Sequence, residues 1–186
     1  MKRLFDLVGA LIALGLFWPL LFVIAIAVRF SSPGPLLYWS DRVGKNNVLF
    51  SMPKFRTMRR ETPEVATHLL ANSETYVTGI GGILRKTSLD ELPQLFSIVM
   101  GHMSFVGPRP ALFNQYDLIE QRTAFRVHSL IPGLTGWAQI NGRDDLTIAE
   151  KVALDVEYMQ RKTIFFDVKI IILTVVKVLR RDGITH

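Results

Sequence analysis

The chain of 186 residues carries 22 Lys+Arg against 16 Asp+Glu, a formal net charge of +6, with 49% hydrophobic residues and no cysteine. That length suits one domain with a modest extra element, and the missing cysteine excludes disulfides, iron–sulfur clusters, thiolate zinc sites and cysteine nucleophiles. An apolar, basic chain with only 20% charged residues disfavours disorder and points to partners that are apolar and anionic: lipid, phosphates or nucleic acid.

The first element is the run Leu7 to Val28, 22 residues without a charge, bounded by Lys2, Arg3 and Asp6 before and Arg29 after. At about 1.5 Å per residue it is long enough to cross a ~30 Å hydrocarbon core. A cleaved signal peptide would have Lys2 and Arg3 as its basic start and Ala25-Ile26-Ala27 as its cleavage site, but the apolar run is too long for one. Pro19 lies mid-run, where it removes one helical hydrogen bond and clashes with the preceding turn, so a kink near Phe17 to Pro19 is expected. Basic residues on both sides, with Arg42 and Lys45 following Arg29, draw both ends to the cytoplasm. A hairpin satisfies both ends and a spanning helix does not, yet spanning helices tolerate such conflicts, so both readings stand on these residues alone.

Ser31-Ser32-Pro33-Gly34-Pro35 forbids further helix and opens a new unit. Leu36 to Trp39 and Val48 to Met52, separated by Asp41 to Asn47, predict a small β-hairpin. Phe55 to Met58 continues as an extended segment crowded by Lys54, Arg56, Arg59 and Arg60, a run that suits either a solvated face or an anion-binding surface. Glu61 to Thr78 is polar and without a clear period, an exposed helix or loop.

The densest signals lie in the middle of the chain. Leu92, Leu95, Phe96 and Val99 have helical spacing, preceded by Ser88-Leu89-Asp90-Glu91. Ser88-x-x-Glu91 is a capping-box pattern that would make Ser88 the N-cap; Pro93 prefers the first helical position and would leave the acidic pair just before the helix. Either way two carboxylates sit at a helix start, where the partial positive charge favours their ionised form and attracts phosphate. Asp90 can then serve as nucleophile or magnesium ligand, although acidic residues in a first turn are often only caps. Gly101 ends the helix, and Pro108-Arg109-Pro110 presents a rigid fork of donors from a stiff loop, a geometry suited to phosphate.

Ser88-Leu89-Asp90-Glu91-Leu92, Gly101-x-Met103-Ser104-Phe105-Val106-Gly107-Pro108-Arg109-Pro110 and Pro132-Gly133-Leu134-Thr135-Gly136-Trp137-Ala138-Gln139-Ile140-Asn141-Gly142-Arg143 resemble the signature blocks of the small monotopic phosphoglycosyl transferases, the bacterial sugar transferase family of PglC type. The similarity runs from Lys2-Arg3-Leu4-Phe5-Asp6 to Val178-Leu179-Arg180-Arg181-Asp182-Gly183. It implies transfer of a sugar 1-phosphate from a UDP-sugar to undecaprenyl phosphate with release of UMP, a Mg²⁺ cofactor, and a ping-pong course through a covalent phosphosugar on Asp90. Glu91 is then expected to hold Mg²⁺ or handle a proton, so that Asp90 and Glu91 are both catalytic and both metal-binding. Arg109 is expected on the substrate phosphates, with Lys54 and Arg85 as helpers, and Asn141, Gly142, Arg143 and Asp155 on the nucleotide or sugar side. An N-acetylated amino sugar is the favoured donor.

The expected fold is α+β and mainly helical. The resemblance implies a re-entrant membrane helix-break-helix over 1–30 that enters and leaves one leaflet of the bacterial inner membrane, with a catalytic domain over 31–186 on its cytoplasmic face. Thr147-x-x-Glu150 predicts a capped helix to about Arg161, and 164–181, with Lys169, Lys177 and Arg180 on one side, an amphipathic interface helix. No nucleic-acid partner is expected, and a homodimer is compatible with the sequence. His102, Ile131 and Trp18 depart from the family pattern. A non-catalytic lipid-phosphate-binding relative is the first alternative, against which the intact Asp90, Glu91 and Arg109 argue; an aspartyl-phosphate phosphatase is the second, and its Asp-x-Asp spacing is absent.

Overall fold

The computed structural model describes residues 1–59, 62, 73–142 and 145–180. The fold is α+β and mainly helical, with two small two-stranded sheets.

Helix α1 (Lys2–Ser31) keeps Pro19 inside it, so the proline does not interrupt the secondary structure. What divides α1 is its packing. Near its start Ala10 is fully buried against Met52, Leu95, Ile98 and Met103, and near its end Ile24 and Val28 are buried with Phe55 and Leu84. Between them the helix turns outward: Leu11, Ile12, Leu16, Trp18 and Phe22 are all more than half exposed. Both ends of α1 are therefore fixed to one body, and an apolar apex projects from it.

The N-terminal charges of α1 each have a partner in that body. Lys2 Nζ is 2.6 Å from Asp167 Oδ2, Arg3 donates to the carbonyls of Ile98 and Val99, and the backbone N–H of Phe105 donates to Asp6 at 3.2 Å. Burial of Asp6 and Asp167 to 2% and 1% exposure requires such partners.

Strands β1 (Leu37–Val43) and β2 (Leu49–Phe55) form the expected antiparallel hairpin, each starting one residue later than the apolar run suggested and continuing beyond its end. Pairing runs from Leu37↔Phe55 to Val43↔Leu49. The strands extend past the apolar residues because Ser40, Arg42, Met52 and Lys54 alternate onto one face, which packs inward. Pro53 is tolerated because a two-stranded sheet consists of edges. Of the polar stretch 61–78, residues 61 and 63–72 lie outside the described residues; the remainder contains the short helix α2 (Ser73–Tyr76) and a bridge from Val77 to Met58.

Helix α3 (Gly79–Lys86) was not expected from its three glycines. Thr78 caps it by accepting from Gly81 N–H. Gly81 is required by proximity: a Cβ there would meet the Thr57 carbonyl at 2.1 Å. A 3₁₀ turn over Leu89–Glu91 leads to helix α4 (Gln94–Met100), with Pro93 at its N-cap. Strand β3 (Ser104–Val106) pairs in parallel with β4 (Gly133–Thr135), and between them lies α5 (Tyr116–Ala124).

Helix α6 (Trp137–Ile140) precedes α7 (Ile148–Arg161), which has the predicted capping box of Thr147 and Glu150. Trp137 joins the core rather than standing free: it packs on Phe166 at 5.1 Å and donates to Glu157. Helix α8 (Ile164–Arg180) buries Phe166, Asp167 and Ile170 and exposes Phe165, Ile172 and Val175 along with Lys169 and Arg180. Core packing and an interface-type apolar stripe thus share one helix; Arg181 lies outside the described residues.

Asp167 also accepts the Tyr158 hydroxyl at 2.8 Å, so it joins α1, α7 and α8. Replacing Asp167 by alanine is expected to destabilise the protein by about 1–3 kcal/mol, the cost of losing the shorter hydrogen bond of the buried Tyr158 hydroxyl, which keeps the Val106 carbonyl, and of leaving a half-buried ammonium without its counter-charge. Urea unfolding in detergent measures this, and an unchanged midpoint would show that the network does not support the fold.

Candidate active site

The centre of the site is the carboxylate of Glu91. Its Oε1 is 2.8 Å from Lys54 Nζ and 2.8 Å from Arg109 Nη2. Lys54 comes from β2, Arg109 from the loop after β3, and Glu91 from the 3₁₀ turn before α4, so one oxygen atom joins three separate parts of the chain.

The capping box expected of Ser88 and Glu91 does not form. Ser88 is left-handed (φ 56°) with no side-chain cap, and α4 begins after Pro93. Two cations outcompete a neutral backbone N–H for a carboxylate, and the acidic pair precedes the helix instead of lying in its first turn. Burial alone would raise the Glu91 pKa, but the charges of Arg109 and Lys54 and the hydrogen bonds from both outweigh it and hold the carboxyl well below the ordinary glutamate value. Burial lowers the Lys54 pKa, with Glu91 opposing and Arg109 reinforcing that shift.

Asp90 is different. It is 8% exposed, and among the described residues its carboxylate has no hydrogen-bond or ion-pair partner. Burial raises its pKa to about 6, helped by the adjoining Glu91 charge and opposed by Lys54, Arg109 and Arg85. A helix start was expected to favour the ionised form of Asp90; desolvation opposes it and is the larger effect, although a pKa of about 6 still leaves the carboxylate ionised at neutral pH. A carboxylate largely removed from water and held by no protein donor among the described residues has less solvation to lose on attack than an exposed one.

Arg85, at the end of α3, makes no side-chain hydrogen bond among the described residues, and its charge acts on Asp90. Arg42 is a cation that the sequence reading had assigned to the membrane-flanking charges. It shares the inward face of the hairpin with Lys54 and donates to Ser40 Oγ and to the Pro110 carbonyl. Burial and the Arg109 charge push its pKa down to about 10, against Glu91 and Tyr38. Nothing local marks Arg42 as a site residue; the period-two relation to Lys54 across the hairpin register was the available signal.

The Arg109 loop is held from outside. Pro108 and Pro110 remove two N–H donors, and the loop carbonyls accept from Gly133 N–H at Pro108, from Arg122 at Arg109, from Arg42 at Pro110 and from Val43 N–H at Ala111. Gly107 and Gly133 permit the close pairing: a Cβ on Gly133 would lie 2.1 Å from Gly107 N.

The remaining predicted residues lie elsewhere. Asp155 is 1% exposed and bound to Arg122, whose Nε and Nη2 reach its Oδ2 at 2.9 and 2.7 Å. Its connection to the site therefore runs through Arg122 to the Arg109 carbonyl. Asn141 donates to the Trp137 carbonyl, and Gly142 turns the chain at φ 154° beside Leu146; no hydrogen bond or ion pair among the described residues joins them to Asp90 or Glu91. Arg143 lies outside the described residues. Of the departures from the family pattern, His102 packs on Phe50, with ring centroids 5.8 Å apart.

The donor set was compared with the needs of a magnesium ion. Among the described residues no three His, Asp or Glu side chains form a ready-made cage. Mg²⁺ ordinarily takes one or two carboxylates and completes its shell with water and substrate phosphates. Asp90 and the second oxygen of Glu91, neither occupied by a donor among the described residues, fit that requirement.

The sequence profile described as bacterial sugar transferase matches residues 1–181. The UDP-glucose:undecaprenyl-phosphate glucose-1-phosphate transferase of Escherichia coli is 43% identical over 186 residues, covering 95% of this chain and 40% of the relative. The exopolysaccharide production protein ExoY of Rhizobium meliloti is 41% identical over 190 residues, covering 94% and 83%. The uncharacterized sugar transferase EpsL of Bacillus subtilis is 40% identical over 184 residues, covering 99% and 90%. The chain thus spans most of the second and third relatives and less than half of the first.

Because Asp90 has a higher pKa folded than unfolded, it contributes stability below about pH 4 that is lost as pH rises through about 6. Asp90→Asn removes this penalty and is expected to raise stability at pH 7.5 by up to about 3 kcal/mol, a gain that shrinks as pH falls through 6. Urea titrations of both proteins across this range test it; a destabilised or pH-independent variant would contradict the buried, unpartnered carboxylate.

Proposed function

Since the chain belongs to the bacterial sugar transferase family, we propose that it moves a sugar 1-phosphate from a UDP-sugar to undecaprenyl phosphate, releasing UMP. One observation carries the reading: Glu91 is bound by two cations while the neighbouring Asp90, equally shielded from water, has no such bond. Two adjacent carboxylates with opposed pKa shifts mark two different roles.

An Asp90 oxygen attacks the donor phosphorus nearer the sugar, forming an acyl phosphate as the P–O bond to UMP breaks. Arg109 and Lys54 neutralise the charge that accumulates on the phosphate oxygens and the leaving UMP, in a site where few waters compete. A phosphate oxygen of the lipid acceptor then attacks the same phosphorus, forming the lipid diphosphate sugar and restoring the Asp90 carboxylate. Neither transfer needs a net proton, which suits a site whose adjoining carboxylate, Glu91, is engaged by Lys54 and Arg109. Glu91 keeps Lys54 and Arg109 in place through both steps, and Arg85 adds a further positive charge near the nucleophile. Mg²⁺, held by Asp90 and Glu91 with the substrate, would supply further charge neutralisation at the diphosphate.

The apolar apex of α1 suits insertion into one leaflet. The contacts of Lys2, Arg3 and Asp6 with α8, α4 and β3 support a re-entrant segment over 1–30, because a spanning helix would carry its start to the other side of the bilayer from 31–186. The basic flanks favour the cytoplasmic face of the inner membrane, where a UDP-sugar is met. Glucose, which the name of the Escherichia coli relative specifies, becomes the first donor to try, ahead of an N-acetylated amino sugar.

The test is UMP release from a UDP-sugar panel with undecaprenyl phosphate in detergent micelles. The expected outcome is release that requires both substrates for turnover and falls at least about 10³-fold in Asp90→Asn. The rate constant kcat/KM for the donor should rise with pH through about 6 as Asp90 ionises. Inorganic phosphate as the product, or full activity in Asp90→Asn, would defeat the reading.

A further inference from the structure

The buried ion pair between Arg122 and Asp155 has no part in the chemistry above, yet it is placed with some precision behind it. Arg122, on α5, is 9% exposed and Asp155, on α7, is 1% exposed. Two of the three guanidinium nitrogens of Arg122 bind one carboxylate oxygen, and the third, Nη1, donates to the Arg109 carbonyl at 2.7 Å. Both sides of that peptide group are constrained. The residue on each side of Arg109 is proline, so no local N–H is available on either flank, and the Arg109 carbonyl takes its hydrogen bond from across the fold.

We propose that Arg122, oriented by Asp155, is a positioning residue: it fixes the backbone of Arg109 so that the guanidinium reaches the diphosphate of the donor. The inference rests on the assignment of Arg109 to substrate phosphate. Three features of the geometry support it. A buried ion pair is weak as a source of stability, since apolar side chains of the same volume serve as well. The pair spends its remaining donor on one carbonyl, and that carbonyl belongs to the phosphate-facing arginine. The planar fork of Arg122 can hold Asp155 and Arg109 at once, whereas a lysine ammonium on a flexible stem cannot keep the same geometry. Arg42 donates to the next carbonyl, Pro110, at 3.2 Å, so the Arg109–Pro110 peptide group and the one that follows it are each held by an arginine side chain. A displacement of about 1 Å at a substrate-positioning group costs on the order of 10²-fold in rate, which sets the expected scale.

A double-mutant cycle on the full-length protein tests this, with kcat and KM for the UDP-sugar measured in detergent. Arg122→Lys, and Asp155→Asn as an isosteric second variant, should lower kcat/KM about 10- to 100-fold in the native background. In an Arg109→Ala background the same changes should cost less than about threefold, because the group they position is gone. Equal losses in the two backgrounds would reduce the pair to structural support and overturn the proposal, as would failure of both variants to fold. An Arg109→Ala protein with undiminished activity would instead refute the assignment of Arg109 to phosphate, a result distinct from additivity in the cycle.

Discussion

One carboxylate oxygen, Glu91 Oε1, accepts from Lys54 and Arg109 at 2.8 Å each, and the rest of the site depends on it. Taking two cations out of water without a counter-charge would cost several kcal/mol per ion, so the hairpin and the loop after β3 can meet only where an anion is waiting. Glu91 supplies that anion and leaves its neighbour to a different fate. Asp90 lies beside it, largely buried and with no hydrogen bond of its own among the described residues, and its ionised form is correspondingly raised in energy. The two carboxylates are adjacent in sequence and opposite in state because one is paid in contacts and the other is not.

The same body also incorporates the long apolar helix α1. Ala10 belongs to the cluster that includes Leu95 and Ile98 of α4, and Arg3 caps the end of that helix through the Ile98 and Val99 carbonyls. Helix α4 starts three residues after Glu91. Strand β3, which receives Asp6 at the Phe105 N–H, runs directly into the Gly107–Pro110 loop. The start of α1 therefore rests against the rear of both structures that carry the site, and the exposed apex of the helix is a projection from the catalytic body as much as an anchor for it. A lipid phosphate at the membrane surface would meet the site at a distance set by this contact, with no flexible tether between them.

Features governed by local spacing were legible in the sequence. The hairpin, the Thr147–Glu150 cap and the amphipathic last helix follow from periodicity or from motifs within a few residues, whereas the grouping of Asp90 and Glu91 with Arg109, 18 residues further on, rested on the family resemblance. Features governed by distant partners were not. Lys2 and Arg3 read as charges seeking the cytoplasmic side, whereas their actual partners are Asp167, 165 residues away, and carbonyls at the end of α4. Arg42 read the same way, and Arg122 carried no signal at all. Helix α3 was hidden by its three glycines, of which one, Gly81, is required by close approach to the Thr57 carbonyl, a reason that appears only in three dimensions. The capping box of Ser88 and Glu91 is instructive in the other direction: the pattern was present, but two cations from elsewhere in the chain claimed the glutamate. Asp155 was expected on the nucleotide or sugar side, but it is buried against Arg122, and its tie to the site is through Arg122 and the Arg109 backbone.

The division of labour between the two carboxylates is tested most directly by isotope exchange. Labelled UMP is incubated with unlabelled UDP-glucose and enzyme, with no lipid acceptor present, and the label is followed into the nucleotide sugar. A covalent phosphosugar on Asp90 predicts exchange in the native protein, slower exchange in Glu91→Gln, and none in Asp90→Asn. Exchange that persists in Asp90→Asn, or that never occurs without the lipid while turnover with it is rapid, would contradict the account.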